Sequence, residues 1–321
     1  MANKLLYYAV NFGAYMIPKF VFTNRYRKII DNYISEHPEQ EDYLHERVDF
    51  YNDLSEGANV GEEAIELKDF VLPKKSKKSG ALRTYFFDTY EYTRYFEDSL
   101  KITTKFGDVT TVPKYPSFVK SRPIEDGNQN SIILKLNKIR HYNFIKDPIK
   151  LADKKDILIG RMSIYSIHKN RQLFMQKFFN HPMCDVGQVN TRGAEHMEWV
   201  TPKISIADHL PYKFILCLEG NDVATNLKWV MSSNSLPVMP RPRYETWFME
   251  SKLLPGVNYV ELQDDYSDLE EKMNYYIAHP DEAQTMVENN HRYVSQFLDM
   301  DREKVLSLMV IEKFFRATGQ L

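Results

Sequence analysis

Residues 212–248 read YKFILCLEGNDVATNLKWVMSSNSLPVMPRPRYETWF, and the order of elements in this stretch decides the fold. Residues 214–218 form an apolar run with the length and content of a buried strand. Glu219-Gly220-Asn221-Asp222 then breaks the run. Val223, Leu227 and Val230 follow at helical spacing, on the same side as Ala224 and Met231. A second apolar run, 235–239, ends at Pro240 and Pro242. Strand, polar turn, helix, strand is one βαβ unit, and such units place their working groups at the carboxyl end of the strand. Gly220 allows close approach of a ligand to the backbone, Asn221 belongs to the same turn, and the amides opening the helix point at an anion. Thr225, Asn226 and Lys228 add donors and a positive charge. The stretch therefore reads as a site for a phosphorylated small molecule, with an ordinary helix start in an α/β core as the alternative. It is not a P-loop, because the glycine-lysine-hydroxyl spacing is missing, nor a G-x-G-x-x-G turn, because only one glycine is present.

Working outward, 321 residues are enough for two domains of ordinary size. An apolar content of 43% supplies enough core material for a globular fold. A net charge of −2 gives no reason to expect nucleic acid as a partner. The run Lys74, Lys75, Lys77, Lys78, beside Ser and Gly, reads as a solvated loop. Two cysteines, Cys184 and Cys217, make no disulfide framework and suit a reducing compartment. His181 and Cys184 lack a second pair of metal ligands nearby in sequence.

The first thirty residues carry Lys4, Lys19, Arg25, Arg27 and Lys28 among many aromatics and contain no acidic residue. No signal-peptide core or run of roughly twenty apolar residues occurs. Two readings of this segment stand: contact with an anionic membrane surface, or a terminal helix packed on the domain. Residues 83–87, RTYFF, read as a strand, with Asp88 as N-cap of a helix reaching about 100. A strand over 101–105 leads to the turn Phe106-Gly107-Asp108, which presents a carboxylate. Strands are expected at 115–119 and 131–136, with Lys120 and Arg122 after the first of them. Asp147-Pro148 and residues 153–156 mark a domain boundary. Beyond it come a strand at 157–159 ending in Gly160-Arg161, a helix over 168–179, a strand at 183–189, a loop over 190–203, a short helix capped by Ser205, and a strand at 258–262. Asp264-Asp265 resembles a metal-binding pair, but Ser267 and Glu270 read as a capping box opening a helix over 268–278. Helices from Pro280 past Val294 and over 302–315 close the chain.

Three segments carry a resemblance to glycosyltransferase family 90: YKFILCLEGNDVATNLKWVMSSNS, YETWFMESKLLPGVNYVEL and DYSDLEEKMNYYIAHPDEAQTMVENNHRYV. FGDVTTVPKYPSFVKSRPI adds a weaker match in the first half. The resemblance implies an α/β fold of GT-B type, two Rossmann-like domains facing across a cleft, with C-terminal helices. It divides the chain into an N-terminal region 1–80, an acceptor-side domain 81–148, a nucleotide-sugar domain 149–300 and a terminal helix 301–321. The implied chemistry is inverting transfer from a UDP-sugar to a hydroxyl of a cell-surface glycan, with no cofactor and no Asp-x-Asp metal site. Asp108 matches the position of the family's base, against its plainer reading as a turn aspartate. Arg161, Gly220, Asn221, Thr225, Asn226, Lys228 and Glu245 are the implied nucleotide-sugar contacts, and Lys120 and Arg122 are candidates for donor or acceptor contacts. Two departures stand out: relatives commonly carry Arg then Gly where this chain has Gly160-Arg161, and some carry an arginine at Asn226. In the family's aromatic, acidic helix, Tyr244 and Trp247 are either stacking residues or core. Secreted relatives have signal peptides and several cysteines, which this sequence does not show, so the resemblance implies a cytoplasmic enzyme; a glycan or glycolipid acceptor would give the basic, aromatic N-terminus a purpose at the membrane. The competing function is a non-catalytic nucleotide-sugar-binding or scaffold protein. An NAD-linked oxidoreductase is disfavoured by the missing glycine fingerprint.

Overall fold

The protein is described by a computed structural model over residues 4–74 and 79–321; Lys75, Lys77 and Lys78 of the basic run lie outside these residues. The chain divides into two compact units: Met1–Asn143 with Tyr244–Met249 and Phe297–Leu321, and Phe144–Arg243 with Glu250–Gln296.

The second unit is a five-stranded parallel sheet. Its strands are Lys155–Met162, Cys184–Gln188, Tyr212–Leu216, Leu236–Met239 and Val260–Glu261. Strands covered on both faces read as continuous apolar runs, and Leu158, Phe214, Leu216, Leu236, Val238 and Val260 are all buried in one core. Helix Lys169–Phe178 contributes Phe174 and Phe178 to this core. Helices Leu269–Ala278 and Pro280–Ser295 contribute Met273, Met286 and Val287. Ser205 caps helix Ile206–His209 in a reciprocal box with Asp208, as its sequence suggests. The second expected box does not form. Helix Leu269–Ala278 is flanked by Asp268, while the Ser267 hydroxyl donates to Gln263 and Asp265 and leaves Glu270 out. Asp264, for its part, pairs with Arg243.

The first unit combines helices with short strands. Thr104–Lys105, Ser117–Val119 and Ser131–Ile133 form a parallel sheet. No helix lies in the connections between these strands, so they do not form the βαβ repeat of a Rossmann sheet. The RTYFF strand and the Asp88 N-cap are corrected as well. Residues 83–88 lie inside helix Ser79–Thr93, and Asp88 is buried in its middle. Tyr85, Phe86, Phe87 and Tyr92 are buried on several sides of this helix, so no amphipathic period survives to distinguish it from a strand. Asp88 accepts a hydrogen bond from the Tyr7 hydroxyl (2.7 Å) and another from the Lys138 amide (2.9 Å). Burial pushes its carboxyl up to about 6.

The last helix, Met300–Ala317, belongs to this first unit and is not a separate terminal element. Glu303 on its first turn accepts from Arg47 (3.0 Å), Lys135 (2.8 Å) and the Trp247 indole (2.7 Å). The YETWF segment is likewise no helix: Tyr244–Thr246 is a strand, antiparallel to Ser121–Pro123. Trp247 stacks on Tyr51 with centroids 3.9 Å apart and is fully buried, which settles it as core.

Candidate functional site

Taken in chain order, the strands of the second unit's sheet lie second, first, third, fourth, fifth across it. Such a sheet has its crevice at the carboxyl ends of the first and third strands, where successive crossovers leave to opposite faces. In this chain those ends lead into residues 163–168 and 217–226, so the Gly220 turn lies at the switch point.

Side chains from helix Lys169–Phe178 and the residue before it hold that turn in place. Arg171 donates from Nε to the Glu219 carbonyl (3.0 Å) and through its terminal nitrogens to the carbonyls of Leu218 (2.8 Å) and Ser163 (2.7 Å). One guanidinium thereby joins the loops after both strands. Asn170 also donates to the Glu219 carbonyl (3.0 Å), and His168 Nε2 is 2.9 Å from the Asn221 side-chain oxygen. Gly220 is tied to the same contact, because a Cβ there would meet an Arg171 terminal nitrogen at 3.0 Å. The Arg243 amide donates to the Glu219 carboxylate (2.9 Å), while its guanidinium is exposed and pairs with Asp264 (3.1 Å). One guanidinium, one histidine ring, the Asn170 amide and the Arg243 backbone amide therefore serve the exposed Asn221 turn. Nothing in the sequence pattern singled them out, since Arg171 is one polar residue in the polar helix KNRQLFMQKF.

The predicted residues fare differently. Asn226 donates to the Leu216 carbonyl (2.8 Å), tying the far end of the turn to its strand, and Thr225 beside it is half-buried. The helix that follows is only Leu227–Met231, too few aligned peptides for a useful dipole, so the expected anion cradle at its start is not formed by a helix N-terminus. Lys228 is fully buried in an ion pair with Glu250, which excludes a solvated helix face and directs its charge into the protein. Arg161 folds back along its strand. It donates to the Asp185 carbonyl (2.7 Å) and carboxylate (2.6 Å), and Tyr212 donates to the same carboxylate (3.0 Å). Asp185 pairs in register with Ile159, so the cation points away from the carboxyl edge.

In the first unit, Asp108 follows Gly107, whose φ of +123° favours glycine. Its carboxylate is 28% exposed and pairs at 2.5 Å with Lys120, which is buried. The Ser121 hydroxyl donates to the Val109 carbonyl (3.3 Å), fixing the same loop. Arg122 and Glu245 pair with each other at 2.7 Å across the antiparallel strands, both buried. Arg122 also donates to the carbonyls of Phe50 (2.7 Å) and Ser131 (3.3 Å). Glu245 thus belongs to the first unit, and neither member of the pair presents its charge to solvent.

The family model described as Glycosyl transferase family 90 matches residues 163–314, which include the second unit's switch point. A protein of Dichelobacter nodosus named O-glucosyltransferase LpsA is 41% identical over 275 residues, covering 85% of this chain and 82% of that relative.

Proposed function

Because the chain belongs to glycosyltransferase family 90, we propose that it moves a glucosyl group from a UDP-sugar to a hydroxyl of a cell-surface glycan, with inversion at the anomeric carbon. The glucosyl assignment follows the name of the relative, and the lipopolysaccharide-type acceptor follows the wider family.

The observation that carries the reading is the pinned turn at the switch point. Gly220 and Asn221 stand where open parallel sheets receive nucleotides, and Arg171 and His168 fix the loop before any ligand arrives. The diphosphate leaves with growing negative charge, which preorganised donors and cations stabilise more than they stabilise the bound donor. Arg243, exposed and exchanging its Asp264 partner for the diphosphate, supplies a cation for that work, without recourse to a metal. Asp108 removes the acceptor's proton as its oxygen attacks the anomeric carbon. The new carbon–oxygen bond forms as the bond to the diphosphate breaks, and UDP departs with that electron pair.

Pairing with Lys120 favours the scaffold alternative, since a carboxylate engaged by lysine can serve the fold alone. Asp108→Asn separates the two. Expected is loss of transfer with the UDP-induced rise in melting midpoint retained; transfer unchanged in the variant removes Asp108 as base. A thermal-shift panel of UDP, GDP, CMP and TDP sugars tests the donor, because a ligand well above its dissociation constant raises the midpoint. Stabilisation by GDP or CMP sugars without UDP-glucose overturns the donor assignment.

A further inference from the structure

Helix Lys4–Met16 has its amphipathicity reversed. Its tyrosine hydroxyls face the protein: that of Tyr7 donates to Asp88 (2.7 Å), and that of Tyr8 is 3.1 Å from the Thr84 hydroxyl. Tyr15 lies edge-on to Phe86 and Tyr90, with centroids 5.6 and 5.1 Å away. Its opposite side is apolar and open. Leu5, Leu6, Val10 and Met16 are 60–80% exposed, and Ile17 and Phe20 continue the ridge at 43% and 78%. At helical spacing Ala9 and Gly13 fall on the same side, and no polar residue interrupts it. Surface helices ordinarily present the other face to water. A contiguous exposed apolar ridge marks a surface that meets something.

The charge around the ridge selects the partner. The first thirty residues hold Lys4, Lys19, Arg25, Arg27 and Lys28 and no acidic residue. Lys19 and Arg27 pair with Asp98 and Glu312, and Lys4, Arg25 and Lys28 are exposed. A second copy is a poor fit, because a two-fold contact sets the ridge against itself and brings like charges together. Thirteen residues rise about 20 Å, too little to cross a bilayer core. Among the described residues, no helix is long and apolar enough to do so. We infer that helix Lys4–Met16 and residues 17–20 dock on an anionic lipid surface, the helix lying in the interface with its apolar ridge among the acyl chains. Inner-side tyrosines hold it to the protein while cations meet the headgroups.

Vesicle co-sedimentation of the full chain tests this without reference to catalysis, so failure of docking and failure of the transferase assignment are separate results. Wild type is expected to sediment with equal parts phosphatidylcholine and phosphatidylglycerol, and far less with phosphatidylcholine alone. Val10→Glu/Met16→Glu/Phe20→Glu alters only exposed side chains and is expected to lower partitioning roughly a hundredfold at an unchanged melting midpoint. Arg25→Gln/Lys28→Gln, which leaves the ridge intact, should lower it about tenfold on the anionic vesicles. No binding by wild type, or equal binding by wild type and the triple variant, overturns the inference. So does a dimer, seen by sedimentation velocity, that the triple variant abolishes, which would assign the ridge to a second copy.

Discussion

Replacing Lys228 by methionine distinguishes two roles that the sequence alone leaves together. Lys228 Nζ lies 2.5 Å from Glu250 Oε1, with the side chains 0% and 1% exposed. Removing one member of a buried pair strands the other charge away from water, at a cost of about 3–5 kcal/mol. Against a total stability of roughly 5–15 kcal/mol, that is a large fraction. The midpoint of the second unit should fall on the order of 10 °C. Glu250→Gln should cost a similar amount, because it leaves the ammonium group unpaired. Lys228→Met/Glu250→Met removes both charges and is expected to recover most of the loss, since an apolar pair of similar volume is often neutral or better. Scanning calorimetry of the four proteins, with and without UDP-glucose, is the assay. On the structural reading both single variants melt early, and the double variant regains its midpoint and its UDP-glucose shift together. If Lys228→Met instead melts with wild type and loses only the nucleotide shift, the lysine is a diphosphate ligand and the argument from burial is wrong.

Glu303→Gln withdraws the carboxylate shared by Arg47, Lys135 and the Trp247 indole, and should cost about 3–5 kcal/mol in the first unit, read as an earlier first-unit transition. His209 is held neutral by burial, which lowers its pKa, with its ring hydrogen-bonded to the Ser205 carbonyl (2.7 Å). A depressed histidine contributes stability that is complete above its unfolded value and lost as pH falls through the folded one. The second unit's midpoint should therefore drop below about pH 6.5, and His209→Gln should flatten that drop. Gly220→Ala sets a Cβ against the Arg171 guanidinium. It should lower kcat/KM about tenfold while moving the midpoint by less than about 3 °C, because the contact yields at a side-chain tip on a surface loop.

The second unit was legible because burial on both faces leaves a simple signature, apolar runs such as FILCL and LPVM closed by turn residues. The first unit was not. Helix Ser79–Thr93 is ringed by buried aromatics and shows no period, and strands of two or three residues are too short to leave one. At the site, the glycine turn could be read, but partner choice could not. Lys228 meets Glu250 22 residues away, and Arg122 meets Glu245 123 residues away. Local pattern marks a charged residue as available without showing which opposite charge the fold will bring to it. Arg171 escaped for the converse reason. Its bonds to Glu219, Leu218 and Ser163 all go to carbonyl groups, which every residue has and no sequence motif records.

The two buried carboxylates acquire a common sense from where the chain leaves and re-enters the second unit. Residues 244–249 belong to the first unit, between Arg243 and Glu250 of the second. Inside this excursion Trp247 is fixed by Glu303, and at its far end Glu250 is fixed by Lys228. Between them Met249 adopts a φ of +57°, a left-handed conformation that costs a non-glycine residue roughly 1–2 kcal/mol. Its amide donates to the Thr246 carbonyl (2.9 Å), and its side chain is buried. Such a backbone persists where the surroundings over-determine it. Here an indole–carboxylate bond holds Trp247 before it and a buried ion pair holds Glu250 after it. Glycine would remove the strain and also the restraint, so the methionine stands between two anchored neighbours, Trp247 and Glu250, that hold the backbone on either side of it.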